Sequence, residues 1–293
     1  MKIAVCISGF IRTWEHTKKS FQEQLCKNAD FDLYIHTYDK NLHEFTAEEP
    51  DVTYTKEEIY DMFEGCNLKK LTIENRDDIL PEITKDANKF SKISNFSLSQ
   101  QESSDSKSKF IPIGVRTYDH LRKIHLCNES RKEYEKKNNI KYDLVIKTRF
   151  DMLYFNTPNW SKFLDDKIHP DYGSTFGYPP DTFCVATPDI MNKYASRFTL
   201  FDEMFFDSDG NLTEKYGGIC AHGSLKYIIQ KYNIEMGEAA VNTNCFRSKN
   251  SLQYYGDYKK KCDIQWMYDN MIKHNVQNVY QLEFIKKELM GQI

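Results

Sequence analysis

The stretch Tyr142-Asp143-Leu144-Val145-Ile146-Lys147-Thr148-Arg149-Phe150-Asp151 passes from an apolar run into three charged residues within five positions. Lys147 and Arg149 are residue types that neutralise a diphosphate, the ammonium as a point charge and the guanidinium as a rigid fork of donors. Asp151 is a hard oxygen donor that could hold Mg²⁺ or Mn²⁺ bridging the same phosphates. Asp181 opens another apolar run, Asp181-Thr182-Phe183-Cys184-Val185-Ala186, and could be the general base that takes a proton from an acceptor hydroxyl. Stabilising a diphosphate leaving group while activating an alcohol is the chemistry of sugar transfer from a nucleotide sugar. The alternative for the triplet is a strand-end ion pair between Arg149 and Asp151, worth little at a surface. Lys147 weighs against that alternative, because it brings more positive charge to the same exit.

Such residues need elements that gather strand ends. Residues 144–146 suit a strand buried on both faces of a mostly parallel sheet, and open α/β sheets bind ligands beyond the carboxyl ends of their strands. Residues 3–7 predict a first strand ending at Ser8-Gly9-Phe10-Ile11-Arg12, where Gly9 permits a tight turn and Arg12 offers donors to a phosphate. A helix follows, with Trp14, Phe21 and Leu25 on one face. Residues 31–36 predict a second strand with His36 and Thr37 at its exit, and a histidine there is more often structural than a ligand. Residues 68–73 predict a third strand, poorly buried because of Lys69 and Lys70. The pattern over 115–137 predicts a long helix with Val115, Tyr118, Leu121 and Ile124 on one side. Its charged end, 131–137, reads as a solvated face, while Arg122 and Lys123 could reach an anion. Thr187-Pro188-Asp189 has the residue types of a helix start: an N-cap, a first-turn proline and an acid facing the dipole. Leu225, Ile228, Ile229 and Tyr232 mark another amphipathic helix, and His222 before it could touch a metal or pyrophosphate or be structural.

With 40 Lys plus Arg against 43 Asp plus Glu, the net charge is −3, so no overall positive field draws the chain to nucleic acid. Any anion must be held by local charges. The eight cysteines are scattered and no pair has CxxC spacing, so all are expected reduced. The first apolar run is too short for a signal peptide, and no later run approaches the roughly 18 apolar residues of a membrane span. A cytoplasmic protein without a transmembrane segment is expected. The 293 residues divide into a body, 1–240, and a C-terminal helical extension, 241–293, with helical stretches near 263–274 and 279–290. Residues 75–110 are expected to form a flexible insertion, rich in Ser, Gln, Asn and Lys over its second half. The Pro-, Gly- and Tyr-rich passage 169–180 offers aromatic faces for stacking on a base or sugar.

Ile3-Ala4-Val5-Cys6-Ile7-Ser8-Gly9 with Arg12, the stretch 31–37, Glu133-Tyr134-Glu135 before 142–151, and Asp181-Thr182-Phe183 together resemble a group of bacterial and large-DNA-virus glycosyltransferase-like proteins of the GT-A type. The similarity covers about residues 3–235. It implies a Rossmann-like α/β fold with a mixed, mostly parallel sheet flanked by helices, and a role in polysaccharide biosynthesis. It also implies a nucleotide-sugar donor bound near Ser8, Gly9, Arg12, His36, Thr37, Lys147 and Arg149. Arg149-Phe150-Asp151 then stands where that fold places an Asp-x-Asp metal motif, with Asp151 as ligand to Mn²⁺ or Mg²⁺ and Arg149 in place of the first acid. A hydroxyl of a glycan or glycolipid would be the acceptor, with Asp181 as its base. Two alternatives use the same exits: a sugar-phosphate transferase, and a non-catalytic nucleotide- or glycan-binding protein.

Overall fold

The computed structural model describes residues 1–27, 29–41, 52–87, 113–154, 156–171, 181–211, 213, 219–241 and 243–245. Strand β1 (Lys2–Gly9) leads through α1 (Trp14–Ser20), continued by a π-helical turn at Phe21–Leu25, to β2 (Asp30–Tyr38). A short antiparallel pair, β3 (Lys40–Asn41) and β4 (Val52–Thr53), precedes α2 (Lys56–Met62) and β5 (Leu68–Glu74). Then come α3 (Arg76–Ala87), α4 (Ile113–Asn138), β6 (Leu144–Thr148) and β7 (Met152–Tyr154). β8 (Lys167–Pro170), β9 (Cys184–Ala186), α5 (Pro188–Ala195), α6 (Phe201–Phe205), α7 (Ala221–Tyr232), β10 (Glu235–Met236) and β11 (Thr243–Cys245) follow.

Among the described residues, seven strands make one mixed sheet in the order β10-β8-β9-β6-β1-β2-β5. β5, β2, β1 and β6 run parallel, β9 runs antiparallel to both β6 and β8, and β10 is parallel to β8. The fold is therefore α/β with a mostly parallel sheet, compatible with a Rossmann-like arrangement. The period of two decides which side chain serves which face. Ile3, Val5 and Ile7 of β1, with Leu33 and Ile35 of β2 and Leu144 and Ile146 of β6, join Trp14, Phe21, Leu25, Ile59 and Phe63 in one core. Ala4, Cys6, Tyr34 and Val145 join Leu121, Ile124 and Cys127 of α4, Ile190 and Tyr194 of α5, and Leu225 and Ile228 of α7 in the other. Each fully buried aliphatic side chain adds about 1.5–3 kcal/mol, which is why the strands with apolar residues on both faces, β1, β2 and β6, lie at the centre. β5, half-exposed along most of its length, forms the edge, as Lys69 and Lys70 require.

The first two crossovers, through α1 and α2, cover one face, and α3 and α4 cover the other. The winding direction therefore reverses between β1 and β6, and a crevice opens there at the carboxyl ends of the strands. β8 points the same way as β6, while β9 points the opposite way, so residues after β8 and residues before β9 reach the same edge.

Several expectations change. The region 75–110 is not loop throughout: α3 occupies its first part, capped where Asn75 Oδ1 accepts from the Asp77 and Asp78 N–H groups at 3.0 Å each. Residues 88–110 lie outside the described residues, as do the aromatics of 172–180 and both helical stretches of the C-terminal extension. The extension's first residues belong to the body, since β11 pairs with β7 and Val241 bridges Asp171. α5 begins at Pro188 as expected, but the Thr187 hydroxyl makes no cap bond and is buried without a partner. In the charged end of α4, Arg131 is fully buried: it donates to Asn128 Oδ1 at 3.1 Å, to Asn192 Oδ1 at 2.6 Å, and to Glu135. Cys6, Cys26, Cys66, Cys127, Cys184 and Cys220 are free thiols. No helix among the described residues is long and apolar enough to cross a membrane.

Candidate functional site

The loop after β1 carries two residues with positive φ, Gly9 at 123° and Arg12 at 45°. Glycine accepts the first without cost, but for arginine the left-handed conformation is a local strain that surrounding contacts must offset. The contact is visible: Arg12 Nη1 donates to Asp151 Oδ2 at 3.2 Å, across the switch point from β1 to the end of β6. Thr37, at the end of β2, donates its hydroxyl to the Gly9 carbonyl at 2.9 Å and so ties the loop to the sheet. Ser8 is buried next to them.

Arg149 closes on Asp151 from the other side, with Nε to Oδ1 at 2.8 Å and Nη2 to Oδ2 at 2.6 Å. Phe150 between them holds the pair in place. Its ring packs on Trp14 at 5.8 Å and Phe63 at 6.0 Å, and its carbonyl accepts from Thr17 Oγ1 at 2.5 Å. Asp151 is 1 % exposed, so its carboxylate is a buried counter-ion shared by two guanidiniums. This arrangement does not fit a divalent cation. Both carboxylate oxygens already accept charged donors, two positive groups flank the position, and no group of three or more His, Cys, Asp or Glu suited to a metal exists among the described residues. Asp151, expected as a metal ligand, here orients Arg12 and Arg149.

Lys147 is not outside the strand but within β6, facing α4 and 2 % exposed. Its ammonium donates to the Asp181 carbonyl and approaches the Thr182 carbonyl at 3.4 Å, which anchors the chain leading into β9. Burial, reinforced by Arg197 and Arg149 and opposed by Asp181, pushes its pKa down to about 8. The Asp181 side chain is buried too. His120 Nε2 lies 3.1 Å from Asp181 Oδ2, and Arg197 Nη1 lies 3.5 Å from the same oxygen. Burial alone would raise the Asp181 carboxyl, but Lys147, His120 and Arg197 outweigh it and hold it well below the usual range. A carboxylate so stabilised is a poor base. It suits a different task, which is to accept the Nε2–H of His120 and leave Nδ1 as the basic nitrogen.

His120 was not singled out in the sequence, and its signal is faint: it adjoins Leu121 on the helix that buries Leu121 and Ile124. The side chain keeps 24 % exposure. Burial, aided by Lys147 and Arg149 and opposed by Asp181, pushes its pKa down to about 4, so the ring is neutral near pH 7. Arg197 was also missed, because it follows α5 in a turn that nothing in the sequence marks as buried.

His36 belongs to a neighbouring group. Its Nε2 lies 3.2 Å from Glu74 Oε2, off line for a hydrogen bond, and Arg122 grips Glu74 through Nη1 and Nη2 at 2.7 and 2.6 Å. Burial would raise Glu74, but Arg122 and the His36 ring outweigh it and bring it down to about 2. Arg122 is therefore a structural partner of β5. His222 sits in the first turn of α7.

The carboxyl edge thus sets the cations Arg12, Lys147, Arg149 and Arg197 against the carboxylates Asp151 and Asp181, with Asp171 beyond them. Asp171 accepts from Thr182 and Thr243 at 2.8 and 2.7 Å, and burial raises its pKa. Among the described residues, His36, Arg76, Asp171 and Arg197 each keep a buried polar atom without a protein hydrogen-bond partner at this edge, and such groups call for a water or a ligand as partner. Compared with known proteins, the chain matches no protein-family model and no curated relative.

Proposed function

We propose that this protein is a glycosyltransferase of the GT-A type that moves a sugar from a nucleoside-diphosphate sugar to a hydroxyl of a glycan or glycolipid. The observation that carries the reading is the surplus of cations at the β1–β6 switch point, four of them, Lys147 and Arg197 buried and Arg12 and Arg149 partly so, against the two carboxylates Asp151 and Asp181. Arg12 and Arg149 face the diphosphate, where negative charge grows as the bond from the anomeric carbon to the leaving oxygen breaks, and Lys147, buried within β6 on the Asp181 and Thr182 carbonyls, adds positive charge behind them. In a site with a metal-bound Asp-x-Asp motif, the cation supplies this charge. Here guanidinium and ammonium groups supply it, since Asp151 is already neutralised by Arg12 and Arg149. The acceptor hydroxyl attacks in line, its proton passes to His120 Nδ1, and the anomeric centre inverts. Asp181 holds the imidazole in the required tautomer and stabilises the imidazolium, and it does not itself take the proton. The anionic diphosphate also raises the His120 pKa from its depressed value toward working pH, so the base becomes effective when the donor is bound.

The test is calorimetric titration with UDP-, GDP-, CDP- and dTDP-sugars, followed by product analysis with candidate acceptors. Binding of one nucleotide with release of nucleoside diphosphate supports the reading. Release of nucleoside monophosphate indicates sugar-phosphate transfer, and binding without turnover indicates a non-catalytic binding protein. Failure to bind any donor overturns the proposal.

A further inference from the structure

A second group of cations at the same edge takes no part in the chemistry above. Arg76 opens α3 directly after β5 and is 3 % exposed. Its guanidinium lies over the Tyr38 ring at 5.0 Å and the Phe10 ring at 5.9 Å. Lys123 of α4 is 2 % exposed and lies over the same two rings at 3.3 and 4.5 Å. Arg12 approaches Phe10 at 5.7 Å, so that ring has three cations around it and joins this group to the switch-point site. Phe10 is half-buried, whereas Tyr38, Arg76 and Lys123 are buried.

The nearby carboxylates are already committed. Asp119 takes the Lys123 ammonium at 3.2 Å and the Tyr38 hydroxyl at 2.5 Å. Glu74 is held by Arg122, and Asp39 accepts the Arg76 backbone N–H at 3.0 Å and the Asn75 amide at 2.9 Å. The Arg76 side chain has no carboxylate at ion-pair distance among the described residues, and its Nε and Nη1 are buried without a hydrogen-bond partner. Two aromatic faces offset part of the cost of burying that charge, but they leave the N–H groups unmet. Burial, with Arg76 adding to it and Asp119 opposing, pushes Lys123 down to about 8.

We propose that Arg76 and Lys123, walled by Phe10 and Tyr38, form a binding site for an anionic oxygen group, phosphate or carboxylate, separate from the Arg12–Arg149 pair. The bound anion accepts from the Arg76 Nε–H and Nη1–H and supplies the missing counter-charge. The inference does not depend on the transferase reading, since it rests on a buried guanidinium with no anionic partner.

The experiment is thermal unfolding of the full chain and of Arg76→Gln in HEPES–chloride buffer at constant ionic strength, with sodium phosphate or sodium acetate added in separate arms. The wild-type midpoint should rise by roughly 3 °C at ten times the dissociation constant of the effective anion, and Arg76→Gln should lose that increment. Without either anion the variant should be at least as stable as the wild type, because an uncompensated charge has been removed. Anion binding elsewhere, including at Arg12 and Arg149, moves both proteins equally and cancels. A response to phosphate alone names a phosphoryl ligand, and a response to acetate alone a carboxylate. Equal responses from the two proteins, or an Arg76→Gln loss of stability independent of either anion, overturn the proposal. If Arg76→Gln does not fold, the Arg76 Nε–H proton resonance, identified by its absence in Arg76→Lys, is followed in the wild type during the same titrations. A resonance that moves with added anion upholds the site, and one that stays fixed overturns it.

Discussion

Asp151 separates the two ways of reading the triplet Arg149-Phe150-Asp151. A metal ligand would be removable at little cost to the empty protein, whereas the shared counter-ion of two guanidiniums would not. Asp151→Asn should therefore destabilise the fold by about 3 kcal/mol, the lower end of the range for breaking a buried ion pair, because the Arg149 and Arg12 side chains keep 17 % and 15 % exposure. Urea unfolding at unchanged m-value measures this, and a loss near zero would mean the ion cluster is not held in solution. A second residue-scale prediction concerns His120. Its folded pKa, about 4, lies below its ordinary 6.5, so between those values the unfolded chain holds more protons and stability falls as pH drops. Asp181, held well below the usual carboxylate range, loses its contribution only at lower pH. His125 on the same helix is also lowered, chiefly by burial, so the variant isolates the effect. His120→Gln should flatten the decline of unfolding free energy between about pH 6.5 and 4, and an unchanged slope would remove His120 as a neutral, half-buried base. At this scale the sequence showed which residues break the apolar run but not their partners, because Arg12 and Asp151 are 139 positions apart. His120 was illegible because a lone histidine beside Leu121 carries no local sign of its carboxylate partner, Asp181, 61 positions away.

The strands themselves were legible, since apolar runs and period-two alternation are local properties that the two cores then use. What the pattern could not distinguish is the character of the sheet's two edges. At the amino edge, Tyr142 donates to Asp32 at 2.6 Å and shares a hydrogen bond with Tyr34 at 2.6 Å. Asn67 donates to Asp32 at 2.8 Å, and Lys2 and Lys69 lie within ion-pair distance of it. That network is satisfied from within the chain, while the carboxyl edge leaves buried polar atoms unmet. Tyr142→Phe should accordingly cost about 1–2 kcal/mol and leave nucleotide-sugar affinity unchanged. A loss of affinity would mean that the two edges are coupled through β6. The helix α3 was hidden for a related reason. Its composition is polar and Pro81 lies inside it, and among the described residues its apolar ties to the core are Ile79 and Ile83. Its start depends on Asn75 and on Asp39, the latter 37 residues from the N–H it caps, which no local window contains.

Across the whole molecule the charge is −3, yet the doubly wound order gathers Arg12, Lys147, Arg149 and Arg197 at one edge of one sheet, with Arg76 and Lys123 beside them. Composition therefore excluded a general attraction to polyanions and could not reveal a local one. The topology creates it by reversing between β1 and β6, so that the strained Arg12 loop meets the end of β6. If these cations take the place of a metal, nucleotide-sugar affinity should be the same with excess EDTA as with Mn²⁺. It should fall about tenfold, ~1.4 kcal/mol, in Arg149→Gln under both conditions, and weaken as chloride rises because exposed parts of the site are screened. Titration calorimetry of the wild type and Arg149→Gln in the two media decides the point. Affinity that appears only with Mn²⁺, and that disappears in Asp151→Ala while the fold persists, would show that the ion cluster opens to admit a cation, and the metal role of Asp151 would be restored. Metal-independent affinity lost with Arg149 would leave the diphosphate held by side-chain cations that the fold brings from opposite sides of its switch point.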